Sequence, residues 1–158
     1  MLTLNDATIA HAWNVQGDAS RMTLSLPGPN AVTRGDGMAI LWLGPRSWLV
    51  LADTVDASGG VAFDVSASRV AWTLRGEEAR IVVNKHCPLD LRLSAFAQGA
   101  CAQSVFGQVN VLLYRHVASD GFTLMVARSF AHDVRHQLES SAAQYGCTLL
   151  PPRPFSAD

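Results

Sequence analysis

The stretch Arg69-Val70-Ala71-Trp72-Thr73-Leu74-Arg75-Gly76-Glu77-Glu78-Ala79 changes its period in the middle. Up to Arg75 the apolar residues Val70, Trp72 and Leu74 alternate, the mark of a half-buried strand with Arg69, Thr73 and Arg75 on its other face. Past Gly76 the spacing becomes helical: Ala79, Val82 or Val83, and His86 share one face. Glu77-Glu78 would then lie in the first turn, where carboxylates complement the macrodipole. Pro88 disfavours helical geometry at Cys87 and ends the helix near His86.

Upstream, short apolar runs are punctuated by turn formers. Met22-Thr23-Leu24-Ser25-Leu26 alternates as a strand would and stops at Pro27-Gly28-Pro29-Asn30. Ala39 to Leu43 and Trp48 to Ala52 flank Gly44-Pro45-Arg46-Ser47, which predicts a hairpin with a four-residue connection and two indoles, Trp42 and Trp48, near one end of a sheet. Asp53 to Gly60 is polar and ends in Ser58-Gly59-Gly60, a surface loop; Phe63 to Ser66 resumes strand character.

Downstream, Ala100 to Phe106, Val109 to Val117 and Phe122 to Ala127 are separated by Gly107 and by Ser119-Asp120-Gly121, which predicts a three-stranded meander. Ser129 can cap a closing helix in which Phe130, Val134, Leu138, Ser141 or Ala142, and Tyr145 recur at spacings of three and four before Gly146 stops it. A short strand, Cys147 to Leu150, is expected after it. This order defines an α+β fold, mostly antiparallel sheets with packed helices. At 158 residues the chain fits a single domain, 1–158, which divides if at all into a mostly β half, 20–75, and a half, 76–150, of helix, β-meander and helix.

Composition narrows the function. The chain is 49% hydrophobic and 16% charged, light for a monomer that keeps its whole surface in water, so part of that surface should face a partner. Net charge is −1 with scattered basic residues, which argues against nucleic-acid binding. Cys87, Cys101 and Cys147 are odd in number, widely spaced and without a CxxC pair, which fits a reduced, cytoplasmic setting. The first twenty residues carry Asn5, Asp6, His11, Asn14 and Asp18 and read as neither signal peptide nor membrane span.

Three constellations invite a chemical reading. In His86-Cys87-Pro88-Leu89-Asp90 a thiol, an imidazole and a carboxylate are close in sequence. A nucleophilic cysteine needs a lowered pKa and access, yet Cys87 follows a helix C-terminus, whose negative end raises a thiol pKa. A buried structural cysteine is the expectation over an activated one, with Asp90 accepting backbone hydrogen bonds in the turn; Cys101, among apolar strand residues, is expected in the core. His132-Asp133-Val134-Arg135-His136 sets two imidazoles four apart, a metal-ligand spacing. At 100° per residue, however, they lie opposite the apolar stripe of Phe130, Val134 and Leu138, so a solvated face is expected. Gly35-Asp36-Gly37 and Ser58-Gly59-Gly60 lack the context of a phosphate loop, and no GxSxG elbow is present. Trp13, Trp42, Trp48 and Trp72 suit core or interface anchors better than a heterocycle-stacking site. No catalytic, cofactor-binding or metal-ligating residue is assigned.

The ordered runs Leu41 to Leu51, Phe63-Asp64-Val65-Ser66, Leu74-Arg75-Gly76, His86 to Leu91, Gly99 to Gln103, Val111 to Arg115 and Arg128-Ser129-Phe130-Ala131 resemble the gamma subunit of heterotetrameric sarcosine oxidase. The likeness spans about Leu26 to Gly146; Arg46-Ser47 departs from it, since the family carries acidic residues before that tryptophan. The resemblance implies a fold similar to the folate-binding domain of aminomethyltransferases and of the tRNA-modifying GTPase. It also implies alpha, beta and delta subunits as partners. The assembly would oxidise the methyl group of sarcosine with FAD, FMN, NAD and tetrahydrofolate held by the larger chains and zinc on the delta chain. Two functions follow: a non-catalytic structural subunit, or, as the alternative, a stand-alone folate-binding module.

Overall fold

The computed structural model describes residues 1–158. The strand Arg69–Arg75 (β7) lies at the centre of a seven-stranded sheet. One neighbour is Thr3–Thr8 (β1) and the other is Gly121–Ala127 (β10), both antiparallel to it. Beyond β10 come Val109–Arg115 (β9) and Cys101–Phe106 (β8), the expected meander, with β8 and β9 joined by a turn at Gly107-Gln108. Outside β1, Thr148–Leu149 (β11) and Arg153–Pro154 (β12) pair with it in parallel. Pro154 is tolerated because its missing N–H falls on the sheet's outer edge.

The second sheet is five-stranded and antiparallel throughout, in the order Val32–Gly35 (β3), Met38–Gly44 (β4), Ser47–Leu51 (β5), Ala12–Gly17 (β2), Gly60–Asp64 (β6). The β4–β5 hairpin carries Trp42 opposite Trp48 near its turn, as the sequence predicts. Its connection is shorter than expected. Gly44 pairs with Ser47, leaving Pro45-Arg46 as the turn, and the register shifts between Trp42 and Gly44, so Leu43 is the extra residue of a bulge.

Three apolar clusters separate the layers. Helices Ala79–Asn84 (α1) and Ala131–Ala143 (α2) cover one face of the large sheet, where Val82, Val83, Val134 and Leu138 pack on Leu74, Leu113, Phe122 and Leu124. The other face packs on the second sheet through Ala71, Leu112, Tyr114 and Met125 against Leu41, Leu49 and Leu51. The outer face of the second sheet is covered by residues around Met22, Leu24 and Leu26, which pack on Val15, Ile40, Trp48 and Val50. The strand β7 is therefore buried on both faces rather than half-buried: Thr73, placed on the solvent face by alternation, is 3% exposed.

Other expectations are corrected locally. Met22 to Leu26 forms no strand; alternate side chains do turn inward, but its backbone N–H groups reach only the Ala19 carbonyl, from Met22 at 3.3 Å, and the Ser58 carbonyl, from Thr23 at 3.4 Å. Ser129 does not cap α2, because Arg128–Phe130 forms a 3₁₀ turn and the α-helix begins at Ala131 after Phe130. Glu77 and Glu78 stand just before α1, Glu78 at its N-cap without a capping side-chain bond. Asn5 and Asp6 conceal β1 from a pattern search, although Leu2 and Leu4 alternate into the core.

Candidate functional site

The His86–Cys87–Asp90 corner resolves into three separate environments. Beyond the end of α1, Cys87 is 3% exposed and packs in the helix-side core, its thiol 3.8 Å from the Ser104 hydroxyl. The His86 ring turns the other way, with Nε2 2.7 Å from Ser141 Oγ on α2 and its face against Phe106 at a centroid distance of 4.7 Å. Burial, and secondarily the charge of Lys85, pushes the His86 pKa down. Asp90 accepts the Arg92 backbone N–H at 3.1 Å and binds the Arg92 guanidinium, which holds its carboxyl at about 2. Nucleophile, base and orienting acid are thus not brought together.

The remaining sulfur and imidazole candidates are also separated. The Cys101 thiol sits in the seam between sheets, donating to the carbonyls of Ala31 at 3.5 Å and Trp42 at 3.7 Å, and burial pushes its pKa up to about 11. His132 and His136 lie on the exposed face of α2. No three His, Cys, Asp or Glu side chains converge to ligate a metal. Trp48 and Trp72 are buried, Trp13 and Trp42 half-buried; Trp13 Nε1 donates to the Ala52 carbonyl and Trp48 Nε1 to that of Pro27, each at 3.0 Å.

Two polar constellations lie outside those candidates. The first is a buried chain across the large sheet. His116, fully buried just past β9, has Nδ1 2.9 Å from the main-chain oxygen of Asp158; that oxygen carries no proton, so Nδ1–H donates. Nε2 then accepts from Thr123 Oγ1 at 2.7 Å, and Thr123 in turn accepts from Thr73 Oγ1 at 2.7 Å. Tyr114 donates its hydroxyl to the Ala157 carbonyl, so Ala157 is held between the sheets by β9 while the Asp158 side chain stays exposed. Beside them Arg115 is 7% exposed, stacks on Phe122 and donates to the carbonyls of Leu91 and Phe96, fixing the loop after α1. The polar triplet Tyr114-Arg115-His116 closing an apolar strand was the sequence signal for this network.

The second is a groove of about 430 Å³ where β1, β7 and the start of α2 meet, with Arg69, Arg128, Arg135, His132 and Asp6 around an apolar floor that includes Val70 and Trp72. These side chains come from distant parts of the chain, and no local motif announces them. Register explains part of the convergence: Arg69 pairs with Ala127, so Arg69 and Arg128 occupy the same end of adjacent strands.

A mixed, sheet-dominated α+β fold of this kind is shared with known proteins. The chain matches the glycine cleavage system aminomethyltransferase T of Bartonella henselae with a TM-score of 0.64 at 12% identity, over 94% of this chain and 47% of that one. It matches a chain of heterotetrameric sarcosine oxidase from Corynebacterium sp. U-96 with a TM-score of 0.80 at 23% identity, over 94% and 87% of the two chains. Residues 60–144, more than half the chain, match the sarcosine oxidase, gamma subunit family, and the chain belongs to that family. Among curated relatives, the sarcosine oxidase subunit gamma of Corynebacterium sp. (strain P-1) is 29% identical over 140 residues, 80% of this chain and 68% of the relative. That of an Arthrobacter sp. is 35% identical over 91 residues, 51% of this chain and 45% of the relative.

Proposed function

We propose that this chain is a non-catalytic structural subunit of a heterotetrameric sarcosine oxidase, docked on alpha, beta and delta chains. Membership of the gamma subunit family carries the proposal. The fold match to a chain of such an assembly supports it. The assembly would convert sarcosine to glycine by oxidative demethylation with folate as one-carbon acceptor. FAD, FMN, NAD, tetrahydrofolate and zinc belong, on this proposal, to the other chains. The committed state of the local chemistry agrees with it: Cys87 and Cys101 are buried, and the His116 nitrogens are both engaged internally.

As a subunit the chain acts as one domain, 1–158, since the two sheets share a core through Tyr114, Leu112, Leu41 and Leu49. A cytoplasmic setting fits its three free cysteines, and no helix is long and apolar enough to cross a membrane. Co-expression with the alpha, beta and delta chains tests the proposal. The chain should co-purify with them and show no amine turnover alone; a soluble monomer that ignores the other chains overturns it. Saturable binding of tetrahydrofolate by the isolated chain would instead establish the folate-binding module.

A further inference from the structure

We propose that the arginine-lined groove between β1, β7 and the start of α2 is a docking site for a carboxylate-bearing segment of a partner chain. The inference rests on the subunit role and names the surface through which it is exercised.

The groove holds three of the chain's 12 basic residues, Arg69, Arg128 and Arg135, against a single lining carboxylate, Asp6. Their commitments are unequal. Arg135 is occupied: Nη1 donates to both Asp6 oxygens at 3.0 Å and Nε to Glu139 Oε1 at 2.6 Å. Arg128 uses Nε alone, on the Ala67 carbonyl at 2.7 Å, which leaves its two terminal nitrogens free. Arg69 has neither a hydrogen bond nor an ion pair within the chain, and it is half-buried. Burial pushes its guanidinium below its ordinary pKa with no anion to offset that penalty. A partly desolvated cation with five donors and no acceptor is an incomplete arrangement, and a planar fork of this kind matches a carboxylate.

The shape favours a chain segment over a free small anion. The groove is partly open to solvent, and a lone carboxylate left in contact with water gains little from exposed guanidiniums. A polypeptide that closes the opening removes that water and strengthens the same contacts. It would also find apolar surface: Val70 and Trp72 floor the groove, and Phe130, immediately before the lining residue Ala131, is 46% exposed. Three arginines with an aromatic and an apolar floor match the composition of interface cores.

The test is co-expression of all four chains with either wild type or Arg69→Glu/Arg128→Glu, together with melting of each isolated chain. Expected is an isolated variant that melts like wild type but joins the assembly at least about tenfold more weakly. Equal incorporation of both overturns the docking site while leaving the subunit role standing; failure of wild type to incorporate overturns both. Should the charge reversal disturb folding, Arg69→Gln/Arg128→Gln replaces it, and its assembly should fall less steeply with salt than that of wild type; equal slopes overturn the proposal. Two further outcomes also overturn it. One is loss of self-association by the variant with assembly intact, which assigns the groove to a second copy. The other is stabilisation of wild type alone by millimolar citrate with assembly intact, which assigns it to a small anion.

Discussion

His116 and Thr123 share a 2.7 Å hydrogen bond in the interior of the large sheet, on an imidazole with no solvent exposure. Burial is the main cause of a His116 pKa below its usual 6.5, with nearby Arg75 acting in the same direction, while the Asp158 main-chain and side-chain contacts oppose it. The folded chain therefore keeps the ring neutral while the unfolded chain takes up a proton near pH 6.5. Below that pH the unfolded state binds more protons, so stability falls as pH drops, by at most about 1.4 kcal/mol per pH unit from this ring. His86 acts in the same sense. Melting temperatures between pH 7 and pH 5 should decline, and His116→Gln should flatten the decline; parallel profiles would show that the ring does not titrate in this way.

Glycine 59 is required by geometry. Its φ is +89°, and a Cβ there would stand 2.0 Å from the Arg21 carbonyl oxygen. Gly59→Ala should destabilise by about 2–4 kcal/mol, whereas Gly28→Ala, which meets no atom within 4 Å, should be nearly neutral. Denaturant midpoints of the two variants check the contrast.

Packing of α2 on the large sheet sets a second contrast. Leu138 is fully buried in the helix-side core, and Leu138→Ala should cost about 2–5 kcal/mol through lost transfer energy and a cavity. Leu149 on the edge strand β11 is 58% exposed, so Leu149→Ala should cost no more than about 0.5 kcal/mol. Comparable losses at the two sites in urea unfolding would contradict the layer assignment.

Thiol reactivity should follow burial. Only Cys147 is partly exposed, and burial with the nearby Glu139 charge raises its pKa, so it should react slowly with iodoacetamide at neutral pH. Cys87 and Cys101 should be protected until the chain unfolds. Mass spectrometry after timed alkylation reads this order, and early labelling of Cys87 would revive an activated thiol there.

The tail contact is testable as well. Tyr114→Phe removes one of two donors to the Ala157 carbonyl and leaves that oxygen only the long 3.5 Å bond from Arg34 Nη1. A loss of about 1–2 kcal/mol is expected, with faster amide exchange at Ala157 and Asp158.

Local pattern revealed the elements whose neighbours in space are also neighbours in sequence. The meander β8–β9–β10 and the β4–β5 hairpin needed only alternation and turn residues, and α1 and α2 only a 3.6 period. What escaped depends on partners far along the chain. Met22 to Leu26 alternates like a strand, yet it packs across the outer face of the second sheet instead of pairing along one of its edges, and so serves as a cover. Thr73 is buried because a second layer exists, which its own strand cannot announce. The arginine groove is similar: positions 69, 128 and 135 meet only once β7 and β10 are in register and α2 has folded back. The expected burial of Cys87 past the end of a helix, and the expected exposure of His132 and His136 opposite an apolar stripe, needed only helix geometry, and the fold places all three side chains accordingly.

The pairing of β1 with both β11 and β12 has a temporal side. The strand β1 has its outer edge hydrogen-bonded only by residues 148–155, which follow it at a distance of about 140 residues along the chain. Until they leave the ribosome, that edge is a template open to other chains, so a nascent molecule that already exposes β1 is prone to aggregate and is best protected by a chaperone or a waiting companion chain.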